Sequence, residues 1–273
     1  MVRELITEEP FLPADVAEAE VMLDIRNLTK IYPTQKGEYV VLEKLNLQVM
    51  KEEFISIIGH SGCGKSTLLT MIAGLNEISG GAILLDGKPI TKPGPDRGVV
   101  FQSPSLFPWM TAVENVLLGV EQVFPHATKK ERIDICKYYL DKVGLNQAFN
   151  KKASELSQGM QQRVGIARAF ALKPKVLLLD EPFGMLDSLT RGELQNVLLE
   201  IWNKEKITAV MITHDVDESI FLADRVIMMT SGPKARIGDV LTIPLERPRI
   251  RKDVIEHPDY YHYRGHLINF LEH

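Results

Sequence analysis

The stretch Gly59-His-Ser-Gly-Cys-Gly-Lys-Ser-Thr67 decides how this chain folds. It matches the phosphate-loop pattern Gly-x-x-x-x-Gly-Lys-Ser/Thr, between an apolar run at 54–58 and a helical pattern at 68–75. Such a loop curls its backbone N–H groups around phosphate oxygens, a geometry that Gly59, Gly62 and Gly64 permit. The motif therefore predicts a strand, a loop and a helix that together bind a nucleoside triphosphate.

The side chains of this loop have separate expected tasks. Lys65 would reach the β- and γ-phosphates, and Ser66 would offer its hydroxyl to Mg²⁺. The positive end of the following helix would add to the attraction for phosphate. The other positions would contribute backbone N–H groups or support the loop: His60, Ser61, Cys63 and Thr67. An ordinary glycine-rich turn is the alternative, but it would not require so many constrained residues in this context.

A second acidic motif, Val176-Leu-Leu-Leu-Asp180 followed by Glu181, indicates catalysis. The apolar run predicts a buried strand, and ligands of α/β proteins bind where such strands end. Asp180 is expected to hold Mg²⁺, and Glu181 to polarise a water for attack on the γ-phosphate. A solvated, helix-capping strand end is the alternative. The nearest match to a guanine-reading motif, residues 203–206, lacks its aspartate, so ATP is the expected nucleotide.

The segment Leu156-Ser-Gln-Gly-Met-Gln-Gln-Arg163 resembles the signature of the ATP-binding-cassette family. The resemblance implies a head-to-tail dimer in which Ser157, Gln158 and Gly159 bind the γ-phosphate of ATP held by a second cassette subunit, identical or different. Ser157 could also be a simple helix cap. Gln158 and Met160 depart from the usual Leu-Ser-Gly-Gly-Gln. The Gln158 side chain either crowds the γ-phosphate, which would slow hydrolysis, or points away.

Other positions resemble the family's functional residues in the same order along the chain. Tyr32 resembles the aromatic that stacks on adenine, and Gln102 the glutamine that links Mg²⁺ and the attacking water to the transport partner. Asp187 resembles the aspartate that crosses the dimer interface, and His214 the histidine that contacts the γ-phosphate. Each has an ordinary explanation alone, as packed surface, loop amide or strand end. Together they extend the resemblance over the whole catalytic domain.

The expected fold is α/β: a phosphate-loop ATPase cassette with a mixed central sheet, an antiparallel β subdomain and a helical signature subdomain. Apolar runs place strands at 21–25, 39–47, 54–58, 176–179 and 207–212. The expected organisation is a leader at 1–20, a catalytic domain at 21–240 with its helical subdomain at about 103–173, and a tail at 241–273. The tail resembles that of nitrate and bicarbonate importer motors. Alternatively, it is a surface helix that packs on its own domain through Tyr260, Tyr263 and Leu267.

Composition restricts the cellular setting. The formal net charge of −4 gives no broad cationic surface, so nucleic acid is not an expected partner. Two cysteines cannot form a disulfide framework, which favours a reducing cytoplasm. The acidic, proline-containing start lacks the pattern of a secretory signal, and no apolar run reaches the roughly 20 residues of a membrane span. The chain is therefore expected at the cytoplasmic face of the cell membrane, as a peripheral protein.

The segment Ser103-Pro-Ser-Leu-Phe-Pro-Trp-Met-Thr111 bears on the partners of the chain. Its apolar, proline-interrupted sequence is typical of a protein contact surface. The family resemblance implies that this surface docks integral membrane permease subunits, which an extracytoplasmic substrate-binding protein supplies; the alternative is a helical subdomain core. The sequence resembles the motors of the nitrate, sulfonate and taurine importer group in three places: this segment, the phosphate loop and residues 93–97. Nitrate is the expected cargo, with nitrite, cyanate, bicarbonate, or a sulfonate such as taurine, as alternatives. A cassette ATPase of DNA or ribosomes would usually carry coiled coils or a second cassette.

Overall fold

The computed structural model describes residues 20–35 and 37–272, so residues 1–19 of the expected leader lie outside the described residues. The strands are β1 Val21–Thr34, β2 Gly37–Met50, β3 Phe54–Gly59, β4 Gly80–Leu85, β5 Lys88–Pro89, β6 Arg97–Val100, β7 Val176–Asp180, β8 Thr208–Ile212, β9 Arg225–Met229 and β10 Ile237–Thr242. The helices are α1 Lys65–Ile72, α2 Ala112–Val123, α3 Lys129–Lys142, α4 Gln158–Ala171, α5 Ser188–Glu205, α6 Val216–Leu222, α7 Arg251–Glu256 and α8 Tyr260–Glu272, with a 3-10 turn at Ala153–Glu155.

The central sheet has the strand order β10-β9-β3-β8-β7-β6. Strands β9 to β6 are parallel, and β10 pairs antiparallel with β9 at one edge. All five side chains of β8 are buried, because successive side chains point to opposite faces and both faces are covered. The expected mixed central sheet is therefore confirmed. Ile57 of β3 lies beside Ile212 of β8, which in turn pairs with Asp180 of β7, so the carboxyl ends of β3 and β7 meet at one edge.

A second, antiparallel sheet has the order β2-β1-β4-β5. It packs with α1 over one face of the central sheet, where Leu23 and Leu47 share a buried cluster with Leu68 and Ile212. A bridge between Leu42 and Ala235 joins it to the loop between β9 and β10. The expected antiparallel element is therefore present, with strands longer than the apolar runs that predicted it.

Helix α1 begins at Lys65, three residues before the helical pattern at 68–75, and ends at Ile72 rather than at Leu75. The first turn consists of the polar residues Lys65, Ser66 and Thr67, so apolar periodicity could not reveal it. The end is set by Gly74, whose φ of +74° turns the chain where an added Cβ would lie 2.5 Å from the Lys92 carbonyl oxygen. The two ends of α1 are therefore set by loop geometry.

Helices α2, α3 and α4 pack against one another. Thr111 starts α2 with a capping box to Glu114, and Thr128 starts α3 in the same way with Glu131. Each box satisfies backbone N–H groups that the first helical turn leaves without intrahelical partners. The amphipathic helix expected at 129–143 is confirmed, with its end at Lys142.

Strand β10 crosses residue 240, where the tail was expected to begin, and α8 packs on α6. Tyr260, Tyr263 and Leu267 are buried in the same core cluster as Phe221. Of the two alternatives for the tail, the structure places it as a helix folded onto its own domain. No helix in the described residues combines the length and the apolar character needed to span a membrane.

Candidate active site

The phosphate loop lies at the carboxyl edge of the central sheet, between Gly59 at the end of β3 and Lys65 at the start of α1. Gly64 is the N-cap of α1 and has a φ of +104°, a conformation that favours glycine. An added Cβ there would lie 2.8 Å from Val41 Cγ1 and 2.9 Å from Leu42 Cδ2. The loop is therefore held against β2, with the amino end of α1 directed at the site.

Lys65 is buried, and its ammonium lies inside the loop. Its Nζ donates hydrogen bonds to the carbonyl oxygens of Gly59 at 2.7 Å and His60 at 2.9 Å. The flexible lysine side chain can exchange these neutral acceptors for phosphate oxygens, which form stronger, charge-assisted bonds. His60 also lies against Ser231, with Nδ1 3.1 Å from Oγ, and this contact ties the loop to the segment after β9.

Ser66 and Asp180 come together although they are far apart in sequence. The Ser66 hydroxyl donates to Asp180 Oδ1 at 3.1 Å. Burial raises the pKa of Asp180, whereas the hydrogen bond from Ser66 lowers it. A hydroxyl and a carboxylate are oxygen ligands of the kind Mg²⁺ binds together with phosphate. Two of the three residues expected to hold the metal, Ser66 and Asp180, are thus adjacent to one another, whereas the third, Gln102, contacts Glu181.

Glu181, the residue after Asp180, has a φ of +44°, which is rare for a residue with a side chain. Its N–H donates to the Ile212 carbonyl at 2.9 Å. Its Oε2 accepts a hydrogen bond from Gln102 Nε2 at 3.3 Å and lies 3.3 Å from Nδ1 of His214. Backbone strain at a carboxylate is typical of a functional site. Gln102 and His214 therefore converge on one carboxylate oxygen of Glu181, and all three residues are expected to be catalytic.

A cleft of about 660 Å³ opens above the loop. Its walls include Tyr32 and Tyr39, and its floor is formed by the phosphate loop. Tyr32 is held by a hydrogen bond from Asn76 to its hydroxyl at 2.8 Å and by Lys30, whose Nζ lies 4.6 Å from the ring centre. Sequence reasoning missed Tyr39, whose position in a strand gives no sign of a ligand. The residues lining the cleft are Tyr32, Tyr39, Val41, Gly59, Ser61, Gly62, Gly64, Lys65, Ser66, Thr67, Glu181 and His214.

The signature residues lie elsewhere, at the start of α4. Ser157 is the N-cap, and its Oγ accepts from the Met160 N–H at 3.3 Å. Ser157 and Gln158 are exposed, and Gly159 is half-buried, packed so that an added Cβ would lie 2.8 Å from Thr190 Cγ2. These three residues do not line the cleft that holds the phosphate loop. The Gln158 side chain lies at the protein surface.

Asp187 begins α5 and accepts hydrogen bonds from the N–H groups of Leu189 and Thr190. These bonds, chiefly that from Thr190, lower the pKa of Asp187 and keep it ionised. Next to it, Leu189 is 74% exposed.

Two polar residues of α4 that sequence reasoning missed position the catalytic loops. Buried Gln162 donates through Nε2 to the carbonyl oxygens of Phe101 at 3.2 Å and Pro182 at 2.7 Å. These carbonyls belong to the residues next to Gln102 and Glu181. Arg168 holds the same loop through the carbonyls of Pro104 and Ser105. In the sequence, these two residues were marked solely by their place in the signature helix. Because their hydrogen bonds hold the residues next to Gln102 and Glu181, the distance between Gln102 and Glu181 depends on α4.

Comparison with known proteins agrees with this geometry. The ABC transporter family model matches residues 42–184. The bicarbonate transport ATP-binding protein CmpD of Synechococcus elongatus is 52% identical over 264 residues, which cover 97% of this chain and 95% of that protein. The nitrate import ATP-binding protein NrtD of the same organism is 52% identical over 242 residues, covering 89% and 88%.

Solved structures resemble the fold as well. The dimeric structure of the bacterial ABC transporter cassette MJ0796 superposes with a TM-score of 0.74 at 31% identity, covering 82% of this chain and all of that one. A post-hydrolysis dimer of the same cassette, bound to ADP and phosphate, gives a TM-score of 0.73 at 30% identity and the same coverage. The family resemblance expected from the motifs is therefore confirmed.

Proposed function

The chain belongs to the ABC transporter family of ATP-binding subunits, and from this membership we propose that it hydrolyses ATP to drive import of a small oxyanion. Nitrate and bicarbonate are the candidate cargoes, because relatives named for these two anions match the chain at the same identity. Of the two, nitrate is the cargo that the sequence predicts. The observation that carries the hydrolytic role is the convergence of Gln102 and His214 on the Glu181 carboxylate beside the phosphate loop.

In this proposal ATP lies in the cleft with its phosphates in the loop. The backbone N–H groups of residues 60–67 and the Lys65 ammonium bind the β- and γ-phosphates, aided by the positive end of α1. Tyr32 and Tyr39 on the cleft wall supply aromatic faces for adenine. The exchange of the Gly59 and His60 carbonyls for phosphate oxygens brings the Lys65 side chain into its working position.

The residues present fit a magnesium ion. Ser66 and Asp180 place a hydroxyl and a carboxylate 3.1 Å apart, and the amide oxygen of Gln102 is the third ligand that the sequence predicts. When bound, Mg²⁺ would neutralise charge on the phosphates. Asp180 must be ionised to serve as a ligand, and the Ser66 hydrogen bond favours that form against the effect of burial.

Glu181 then acts as the base. Its carboxylate accepts a proton from water while the water oxygen attacks the γ-phosphorus and the bond to the bridging oxygen of ADP breaks. Gln102 orients this carboxylate and the water, and His214, which also lies against Glu181, contacts the γ-phosphate. The strained backbone at Glu181 and the hydrogen bond from Glu181 N–H to Ile212 fix where the carboxylate points.

The second cassette subunit completes each site. Ser157, Gln158 and Gly159 lie outside their own chain's cleft but at a helix start with N–H groups suited to an anion. In a head-to-tail dimer they would bind the γ-phosphate of ATP on the partner, and Asp187 would cross the interface. The exposed position of Gln158 supports an orientation that leaves the phosphate room.

Permease docking is assigned to the surface around Trp109. Phe107 and Trp109 are 44% and 68% exposed, and their ring centres lie 5.5 Å apart. The loop that carries them continues directly from Gln102 and is held to α4 by Arg168. Movement of the γ-phosphate site would thus reach the docking surface. This role places the chain at the cytoplasmic face of the membrane, with permease subunits and a substrate-binding protein.

Uptake by cells tests the proposal. A strain without its own anion uptake would receive this chain with its permease and binding protein, and uptake of nitrate, bicarbonate and taurine would be measured. We expect nitrate uptake, and we expect Trp109→Ala to abolish it while ATP hydrolysis continues. Tyr261→Ala is the matched control, because Tyr261 is an equally exposed aromatic residue of the tail. Unchanged uptake in Trp109→Ala would contradict the docking role. Uptake of taurine without uptake of nitrate would contradict the proposed cargo.

A further inference from the structure

A chain of polar side chains connects the C-terminal tail to the end of β8. Gln195 of α5, Thr213 after β8 and Glu218 of α6 are all at least 95% buried. Gln195 Nε2 donates to Glu218 Oε1 at 2.8 Å, and the Thr213 hydroxyl donates to Glu218 Oε2 at 2.6 Å. Arg251 of α7 donates through Nη2 to Gln195 Oε1. Both carboxylate oxygens of Glu218 are thus used as acceptors in the protein interior.

Arg251 in the tail and Glu218 together hold the Gln195 amide from its two ends. A guanidinium can only donate hydrogen bonds, so Arg251 requires the amide oxygen on its side. The amide nitrogen must then face Glu218. Arg251 is itself held by stacking over the Phe221 ring, with Cζ 4.3 Å from the ring centre. Without Arg251, the amide oxygen loses its donor and the Gln195 side chain is held at one end only, so it could swing away from Glu218.

At its other end, this series of hydrogen bonds holds Thr213, the residue before His214. Thr213 Oγ1 also accepts from the Asp215 N–H at 3.0 Å. The Asp215 carboxylate in turn caps α6 through the N–H groups of Asp217 and Glu218. His214 therefore lies between two anchored neighbours, and its ring is otherwise 64% exposed. Its position depends on the backbone that Thr213 and Asp215 hold.

Helix α8 makes a second, independent contact with α6. Asp217 Oδ1 accepts from the Tyr260 hydroxyl at 2.8 Å and from Arg264 Nε at 2.9 Å. Leu267 and Tyr263 are buried in the same packing. The tail thus holds α6, the helix that follows His214, in two ways: through the contacts of α8 with Asp217, and through the buried hydrogen bonds from Arg251 to Glu218.

We propose that Glu218 is a positioning residue for His214, and that the C-terminal tail sets the rate of ATP hydrolysis through Arg251 and Gln195. A displaced tail would release the Gln195 amide, loosen the Thr213 hydrogen bond and let His214 move away from Glu181. The inference rests on the hydrolytic role proposed for Glu181 and His214. It adds that residues 251–272 control this site from outside the cleft.

Accepting from two donors at once requires the carboxylate form of Glu218. The pKa of Glu218 is raised to about 6, chiefly by burial and also by the charge of Asp215, against the lowering effect of the Thr213 hydrogen bond and of the charges of Arg191 and His214. Without Arg251, the Gln195 amide no longer stabilises the Glu218 carboxylate by donating to it, so the pKa of Glu218 should rise further. The acid side of the rate profile against pH should therefore move to higher pH.

The full-length chain tests this with three variants: Arg251→Met, Arg251→Lys and Lys252→Met. Lys252 is the matched control, since it lies next to Arg251 on α7 but is exposed and pairs with Glu256 of the same helix at 3.9 Å. Arg251→Met should lower kcat about three- to tenfold, the effect of one buried hydrogen bond, with KM for ATP unchanged and the acid limb shifted upward. Arg251→Lys should restore most of the rate, and Lys252→Met should match the wild type.

Amide hydrogen exchange gives a readout that does not need hydrolysis. Without ATP, residues 213–219 should exchange faster in Arg251→Met than in the wild type or in Lys252→Met. The proposal is overturned if Arg251→Met keeps the kcat, pH profile and exchange of Lys252→Met, or if Arg251→Lys fails to recover the rate. If the wild-type chain does not hydrolyse ATP, the proposed function fails, whereas the exchange experiment still decides whether the tail holds the His214 segment.

Discussion

Replacing Gly64 with alanine should weaken ATP binding through the backbone alone. At φ +104° a residue with a side chain is strained by about 1–3 kcal/mol. The new Cβ would also lie 2.8 Å from Val41 Cγ1 and 2.9 Å from Leu42 Cδ2. Leu42 is fully buried and Val41 nearly so, and the two cannot retreat into solvent. The loop must therefore shift, taking the Lys65 N–H and ammonium away from the phosphates.

The expected loss is about 10- to 100-fold in ATP affinity, because each 1.4 kcal/mol corresponds to a factor of about ten. Titration of the purified chain with a fluorescent ATP analogue would measure it, together with the free energy of unfolding in denaturant. Gly87→Ala is the matched control: Gly87 has a φ of +71° in the turn between β4 and β5, and an added Cβ there meets nothing within 4 Å. It should lose about 1 kcal/mol of stability and keep its affinity for ATP. The reasoning is refuted if Gly64→Ala binds ATP like the wild type, or if Gly87→Ala weakens binding equally.

Two further predictions concern buried polar residues. Gln162→Leu leaves the carbonyls of Phe101 and Pro182 without their donor, so the free energy of unfolding should fall by about 1–3 kcal/mol. In steady-state kinetics, kcat should fall by a larger factor than KM changes. A loss of stability with unchanged kcat would contradict the positioning role. Glu218, whose folded-state pKa is raised to about 6, stabilises the fold below its unfolded pKa of about 4.3 and loses that contribution as the pH rises through 6. Relative to Glu218→Gln, wild-type stability should therefore fall by about 2 kcal/mol between pH 4 and pH 7, and a constant difference in denaturant titrations would refute this.

The parts of the molecule that the sequence predicted well are those with local causes. The phosphate loop needs glycines and a lysine within nine residues, and β7 reads as buried because every position from Val176 to Leu179 is apolar. The contacts of Gln102 and His214 with Glu181 were expected only through the family resemblance, since residues 79 and 33 positions apart carry no sign of their meeting. The central sheet and the antiparallel sheet followed from strand periodicity, whereas the start of α1 did not.

Other features depend on tertiary packing that no local pattern reports. Gln195 reads as one more polar residue on a surface helix, yet α6 and the tail cover it completely. Its partners Glu218 and Arg251 lie 23 and 56 positions away. The composition of the tail, rich in arginine and tyrosine, marked it as separate but did not show that Tyr260 and Leu267 would pack into the core. Whether the chain divides at residue 240 stays a prediction.

In the proposed mechanism, Glu181 drives hydrolysis in a site completed by Ser157 of a second subunit. Glu181→Gln should lower turnover at least about 100-fold, the contribution of a general base, while ATP and Mg²⁺ still bind. Light scattering should then show a monomer without nucleotide and a stable dimer with ATP. Adding Ser157→Arg to Glu181→Gln should leave ATP binding intact and abolish the dimer. Near-normal hydrolysis by Glu181→Gln, or an ATP-dependent dimer that tolerates Ser157→Arg, would contradict the account.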